Sequence, residues 1–402
     1  MIRHAIMRID FAETGGIMYI GIVSEWNPFH EGHARLLASI REACPGAEIA
    51  CAMSGAFVQR GEPALFDKWA RAAWAVKGGA SLVVELPAAC VLQSADRFAE
   101  AGIRLLAALG CTHAAFGAET LTADEIRAAA AWTLTEAFTQ ELRRLLRTGL
   151  PYARAVNQAL AEKFPALRDD FSRPNNLLGI QYARTILAHH LPMDILPFPR
   201  DERRPVSATA IRREIAAGQP PSHIPDTEKE SLRALLRRGA YTDYRRYDAA
   251  CLLAFRLMSR ETLRRSGLFS EGLENRWAKE MQRPSYEELL RAVKSRRYLY
   301  SRLRRIGAAL LLSPAGELSL MARPQEAPYA RLLALRASSS PLLRRCRLPV
   351  VTSTARAERT LDNAALRFLM LDRRACDVQT FCFHGEAERA GRLDYFRSPA
   401  VL

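Results

Sequence analysis

Two histidines separated by a glutamate and a glycine, His30-Glu31-Gly32-His33, stand directly behind the apolar run Tyr19-Ile20-Gly21-Ile22-Val23. A buried strand that runs out through Asn27-Pro28-Phe29 and feeds these residues into the start of a helix builds a phosphate site. Backbone N–H groups at a helix start attract anions, and Gly32 lets a phosphate approach the main chain. The imidazoles of His30 and His33 can donate hydrogen bonds to phosphoryl oxygens. The chemistry that fits this set is attack on the α-phosphate of a nucleoside triphosphate. Taken alone, two histidines one turn apart also fit an ordinary surface or core pair.

A second segment, Ser207-Ala208-Thr209-Ala210-Ile211-Arg212, shifts that balance. H-x-G-H after a first strand and S-x-T-x-I-R downstream together resemble the two-part signature of the adenylyltransferase branch of Rossmann-like proteins. In that arrangement hydroxyls such as Ser207 and Thr209 cap a helix. The arginine, here Arg212, turns its planar fork toward two phosphate oxygens.

The elements that must position these residues alternate short β-rich runs with helical patterns, which predicts an α/β fold with a parallel sheet and crossover helices. Strands are expected at Tyr19 to Ser24, Glu48 to Ser54, Leu82 to Leu86, His113 to Gly117 and Asp194 to Pro197. Helices are expected at Gly32 to Ala43, Asp67 to Lys77, Ser94 to Leu109 and Asn176 to Ala188. Asn27, His30, Ser54, Glu85, Gly117 and Glu119 then gather at the carboxyl ends of the strands, where such sheets bind ligands.

The stretch from Gly218 to Pro225 reads as a linker. It divides a nucleotidyltransferase-like ATP-binding domain, 18–217, from an arginine-rich helical domain, 226–312, that is expected to bind nucleic acid. A small C-terminal subdomain, 313–402, is expected to close the chain. The helical part carries Arg233, Arg237, Arg238, Arg245, Arg246, Arg264 and Arg265, then Lys294, Arg296, Arg297, Arg302, Arg304 and Arg305 interleaved with Tyr298 and Tyr300. Arginine neutralises phosphates while an aromatic face stacks on an unpaired base, although a solvated helix face carries similar runs.

A formal charge of +15 over 402 residues points to a polyanionic partner, and 49% apolar content to a globular chain. No apolar run approaches the roughly twenty residues a bilayer requires, so nucleic acid is favoured over membrane. Residues 1 to 17 lack a signal-peptide pattern, and Met18 is a candidate start. The eight cysteines are scattered without a C-x-x-C pair, and read as reduced residues of a cytoplasmic protein, with no protein metal site expected.

Longer segments carry a more specific resemblance. Gly21 to His33, Ser54-Gly55-Ala56-Phe57-Val58-Gln59-Arg60-Gly61-Glu62-Pro63, Asp67-Lys68-Trp69, Val84-Glu85-Leu86-Pro87, Phe116-Gly117-Ala118-Glu119 and Arg173 to Gly179 resemble the bacterial tRNA(Met) cytidine acetate ligases. So do Ser207 to Arg212, Ser270 to Arg276 and Lys294 to Tyr298. The resemblance implies a Rossmann-like (HIGH/HUP-type) nucleotidyltransferase that forms acetyl-adenylate from acetate and ATP, then acetylates N4 of the wobble cytidine of elongator tRNA(Met). It places ATP along Val23-Ser24-Glu25-Trp26-Asn27-Pro28-Phe29-His30-Glu31-Gly32-His33-Ala34-Arg35-Leu36, with Gly117, Asn175 or Asn176, and Arg200. Magnesium is expected with the triphosphate. His30, His33 and Arg212, with Lys68, are expected to supply charge to the phosphoryl oxygens. Asp67, Glu85 and Glu119 are conceivable proton acceptors for the second step, and equally conceivable partners of Lys68, Arg71 or a backbone turn.

The chain departs from that family at Trp26, Ala56 and Ala118, and in a loop compressed to Pro199-Arg200-Asp201-Glu202-Arg203-Arg204-Pro205 that lacks the family's glycines and His-Asp pair. Two other readings compete. One keeps the nucleotidyltransferase site but gives it a small phosphorylated cofactor precursor. The other is a non-catalytic RNA-binding protein with a decayed pocket.

Overall fold

Residues 19–24, YIGIVS, form the strand β1 (Tyr19–Ser24), which is flanked on both sides by parallel partners. The computed structural model describes residues 17–200, 206–295, 298–314, 316 and 326–402. Further strands are β2 (Glu48–Ser54), a small hairpin of β3 (Phe57–Val58) and β4 (Glu62–Pro63), β5 (Leu82–Leu86), β6 (His113–Ala118) and β7 (Asp194–Pro199). Late in the chain come β8 (Ala330–Leu335), β9 (Val350–Val351) and β10 (Ala400–Val401). The large sheet has the order β10-β8-β5-β2-β1-β6-β7, with β9 also on β8. From β5 to β7 all pairs are parallel. The order reverses between β1 and β6, and a crevice opens there beyond their carboxyl ends.

Alternation along β2 explains why both sheet faces must be covered. Ile49, Cys51 and Met53 pack on one side with Leu37 and Ile40 of helix α1 (Glu31–Ala43) and Trp69 and Ala72 of α2 (Lys68–Lys77). Ala50 and Ala52 pack on the other with Leu105 of the helix Ala95–Ala108 and Ile180 of Pro174–Ala188. Each predicted strand and helix is present, with ends shifted by one or two residues because caps such as Asp67 fall outside the helix proper.

Two expectations about domains are corrected. The segment 313–402 is not a separate subdomain, because β8 joins the sheet antiparallel to β5 and β10 extends it. An apolar strand such as Ala330–Leu335, buried throughout, needs partners on both sides; β5 provides one side, and β9 and β10 pair with the other. The linker Gly218 to Pro225 is docked, not free: Glu31 N donates to His223 O at 2.9 Å, and Ile224 is buried. Beyond it the helical part shares a continuous core with the α1/α2 face, where Leu232, Tyr247 and Leu303 join Phe66 and Trp74. Among the described residues no helix is long and apolar enough to cross a membrane. All eight cysteines are free thiols and seven are buried.

Candidate active site

The crevice between β1 and β6 is a cleft of about 490 Å³, within the range that holds small molecules. Its geometry starts at the entry to α1. His30 is the N-cap with extended backbone, and its Nδ1 accepts from Gly32 N at 3.1 Å. His33 Nδ1 accepts in turn from His30 N at 3.3 Å. With both Nδ1 atoms accepting, the proton of each neutral ring sits on Nε2. The rings stack at 3.6 Å and line the cleft together. Burial pulls the His30 pKa down to about 4, and burial with the neighbouring His30 and Arg200 pulls His33 well below its usual value. Both are neutral Nε2–H donors at pH 7.

Arg212 reaches the same cleft from the helix Ala208–Ala216. Ser207 caps that helix, its Oγ accepting from Ala210 N. The guanidinium donates through Nη1 to Asn27 O at 2.7 Å and through Nη2 to Thr209 Oγ1 at 3.2 Å. Its fork is thereby held with donors to spare. Asn27 is itself fixed, its Oδ1 accepting from Leu65 N at 2.7 Å. Trp26 occupies the left-handed region (φ 43°), and the bend it makes is braced from below by the fully buried Arg71, which donates to Glu25 O at 2.7 Å.

At the far wall, Glu119 gathers the remaining nominated groups. Its Oε1 accepts from Asn175 Nδ2 at 2.8 Å and lies 3.6 Å from Arg200 Nη1. Of the asparagine pair, Asn175 lines the cleft. Asn176 is fully buried and shapes the loop, accepting from Glu119 N and donating to Thr120 Oγ1.

The structure brings together Val23, Ser24, Glu25, Trp26, Asn27, His30, Gly32, His33, Arg35, Leu36, Gly117, Asn175, Arg200, Thr209 and Arg212 around the cleft. Pro28, Phe29, Glu31, Ala34, Asn176 and Ser207 lie in or beside the supporting backbone instead. Phe29 is buried against Trp26. Arg60, Ser39 and Tyr182 line the cleft unforeseen. Arg60 sits on the β3–β4 turn, within a segment whose resemblance was noted but whose arginine nothing in the local pattern aimed anywhere.

Lys68 is the clearest correction. It is fully buried outside the cleft, with Nζ 2.7 Å from Glu85 Oε2 and 2.8 Å from Asp394 Oδ1. Arg331 completes the cluster, 2.7 Å from Asp394 and 3.5 Å from Glu85. Burial and Arg331 act to lower the Lys68 pKa, but Asp394 and Glu85 outweigh them and the net direction is up. Gly55 is required beside this cluster, since a Cβ there would lie 2.0 Å from Glu85 Oε1. Two positive and two negative charges thus bolt the end of the chain to the sheet. Breaking such a buried set leaves an unpaired charge, so Lys68→Met should lower stability by about 3–5 kcal/mol in urea denaturation. Nucleotide chemistry per folded molecule should change less than about twofold, because cost at a remote site goes into folding and not into the transition state.

The proton-acceptor candidates are likewise occupied. Asp67 caps α2 through Ala70 N, Glu85 holds Lys68, and Glu119 orients Asn175. Glu25 is the one carboxylate among the described residues lining the cleft; burial raises its pKa against the opposing bond from Gln59 N.

The basic helices also differ from expectation. Tyr298 is buried, its hydroxyl bonded to Ser270 O and Glu271, and the Arg302 guanidinium lies 4.9 Å from its ring centroid. That ring is a support for Arg302 and not a platform for a base. Arg304 pairs with Glu62 and Glu287, and burial lowers the Arg305 pKa to about 10. Lys294 remains exposed, with Arg233 and Arg237. Arg296 and Arg297 lie outside the described residues, as do Asp201 to Pro205 of the shortened loop.

A switch-point cleft in a parallel sheet, with paired histidine donors at a helix start and an arginine opposite, defines a nucleotidyltransferase of the HIGH class. The family model described as HIGH Nucleotidyl Transferase matches residues 17–393. The chain is 32% identical over 345 residues to the tRNA(Met) cytidine acetate ligase of Bacillus velezensis, covering 79% of this chain and 81% of that one. It is 31% identical to the enzyme of the same name from Listeria welshimeri, covering 95% and 98%. The crystal structure of Thermotoga maritima TmcAL bound with alpha-thio ATP superposes with a TM-score of 0.89 at 27% identity, over 96% of this chain and all of that one. This chain belongs to the tRNA(Met) cytidine acetate ligase family.

Proposed function

We propose that this chain is an ATP-dependent ligase that activates acetate as acetyl-adenylate and transfers the acetyl group to N4 of the wobble cytidine of elongator tRNA(Met). The observation that carries this reading is the convergence of His30, His33 and Arg212 on one cleft at the β1/β6 switch point. An acetate oxygen attacks the α-phosphorus and pyrophosphate leaves. Acetate is already ionised, so the step needs no strong base; it needs positioning and donors aimed at the phosphoryl oxygens. Two neutral Nε2–H groups and a guanidinium fork are such donors.

In the second step the cytidine amine attacks the acetyl carbon, AMP leaves with the bonding pair, and the amine loses a proton. A mixed anhydride suits a nucleophile whose lone pair is delocalised into the ring. An anticodon loop presents that base at little unstacking cost. The ATP contacts assigned to the cleft residues from Val23 to Leu36, Gly117, Asn175 and Arg200 belong to this proposal, as does the expectation that Lys294, Arg296, Arg297 and Arg302 contact tRNA. Magnesium would arrive with the triphosphate, whose charge it would help to neutralise; among the described residues no three His, Cys, Asp or Glu side chains gather as a metal cluster.

The reading of a small cofactor precursor as acceptor does not account for the arginine-rich helices packed on the catalytic face. Exchange of labelled pyrophosphate into ATP tests the first step. It should require acetate and no tRNA; exchange that ignores acetate would contradict the reading.

A further inference from the structure

The β3–β4 hairpin, with Ala64 and Leu65 behind it, lies between the cleft and the helical segment and holds both. On the cleft side, Gln59 N donates to Glu25 Oε1 at 2.5 Å and Leu65 N to Asn27 Oδ1 at 2.7 Å. Glu62 Oε1 lies 3.7 Å from Arg212 Nη2. On the other side, Tyr247 and Tyr244 of the helix Tyr244–Arg256 donate to Gly61 O and Pro63 O, each at 3.2 Å. Arg304 of the helix Tyr300–Leu312 donates through Nη1 to Glu62 Oε2 at 3.1 Å. Gly61 has φ +82°, and a Cβ on it would fall 2.5 Å from the backbone of Arg304 and Arg305. No side chain fits between hairpin and helix.

We propose that Glu62 is a positioning residue for adenylate formation, one carboxylate oxygen facing Arg212 and the other held by Arg304. The side chains of Glu62 and Arg212 are 16% and 17% exposed, so this bridge is shielded from much of the solvent screening that empties surface pairs of their worth. Glu62 bridges the two guanidiniums, while Glu287 pairs with Arg304 from its other side, and the chain of contacts fixes the Arg212 fork. The placement of the arginine that faces phosphate therefore depends on a helix of the arginine-rich segment. The inference rests on the reading of Arg212 as a ligand of the triphosphate.

This role predicts a split that a merely structural residue would not give. Glu62 repels a bound triphosphate while it orients Arg212. Glu62→Gln should therefore lower kcat of acetate-dependent exchange about tenfold while KM for ATP stays the same or falls. Glu62→Asp, which keeps the charge but is too short to span both guanidiniums, should lower kcat at unchanged KM, and thermal melting should show every variant folded at the assay temperature. Arg304→Gln should cost about threefold, and the double variant with Glu62→Gln no more than Glu62→Gln alone, as expected of groups acting through one contact. In an Arg212→Ala background, followed long enough to register a thousandfold loss, Glu62→Gln should change nothing further. A tenfold loss that persists in that background would overturn the proposal, as would a raised KM at unchanged kcat. If Arg212→Ala alone exchanges at the parent rate, the phosphate role of Arg212 is what has failed, and the proposal falls with it.

Discussion

Replacing His30 and His33 together with alanine should lower acetate-dependent pyrophosphate exchange by more than about a thousandfold, since each donor aimed at a developing charge is worth about a hundredfold or more. The rings act as directed donors and not as charges. Each receives a backbone N–H on Nδ1, so each has a single Nε2–H to offer, and removal deletes a directed donor. Single variants should lose most of that effect, because the stacked pair acts as a unit. The same geometry has a pH signature. The folded His30 pKa of about 4 lies below the ordinary value near 6.5, so the unfolded chain takes up protons first as pH falls. Stability is complete above about pH 6.5 and should be lost progressively between there and pH 4, with a slope that flattens in the double variant. Thermal melting across that window, alongside exchange rates at pH 7, checks both statements. A double variant that exchanges within threefold of the parent would remove the histidines from the mechanism.

Arg212→Ala should cost about 10² to 10³ in kcat of exchange, the range found when one preorganised donor to a transferring group is removed. Arg212→Lys should recover only part of it. An ammonium restores the charge but not the planar fork that reaches Asn27 O and Thr209 Oγ1 and would meet phosphate with its remaining donors under the proposed function. Steady-state exchange kinetics, with ATP affinity measured by calorimetry, separate the two cases. Full recovery by lysine would show that charge alone is used at this position.

The parallel part of the sheet was legible because each of its first five long strands is a largely apolar run of five to seven residues, and helices lie between successive strands as crossovers. β8 was not, because nothing local in Ala330–Leu335 says that its partner is Leu82–Leu86, some 250 residues earlier. A still longer separation hid the Lys68–Asp394 pair, and a lysine placed by resemblance near phosphates lies in a buried ion cluster instead. The meeting of His30, His33 and Arg212 at one cleft was readable because each lies in a short, fixed spacing at a helix start. The interleaved arginines and tyrosines were ambiguous for the opposite reason: Arg302 and Tyr298, four residues apart, can present a ring outward or cover it, and the pattern is identical. Arg60 and Glu62 flank a glycine in a motif noted for resemblance, yet which of them faces the cleft and which faces Arg304 is decided by the register of a two-residue hairpin.

Acetyl transfer to tRNA can be followed by incubating the protein with ATP, labelled acetate and bacterial tRNA, digesting the RNA, and separating its nucleosides. Label should appear in N4-acetylcytidine from elongator tRNA(Met), depend on both ATP and acetate, and vanish with the His30/His33 double variant. Label confined to acetyl-adenylate, or found in RNA without ATP, would contradict the proposed function.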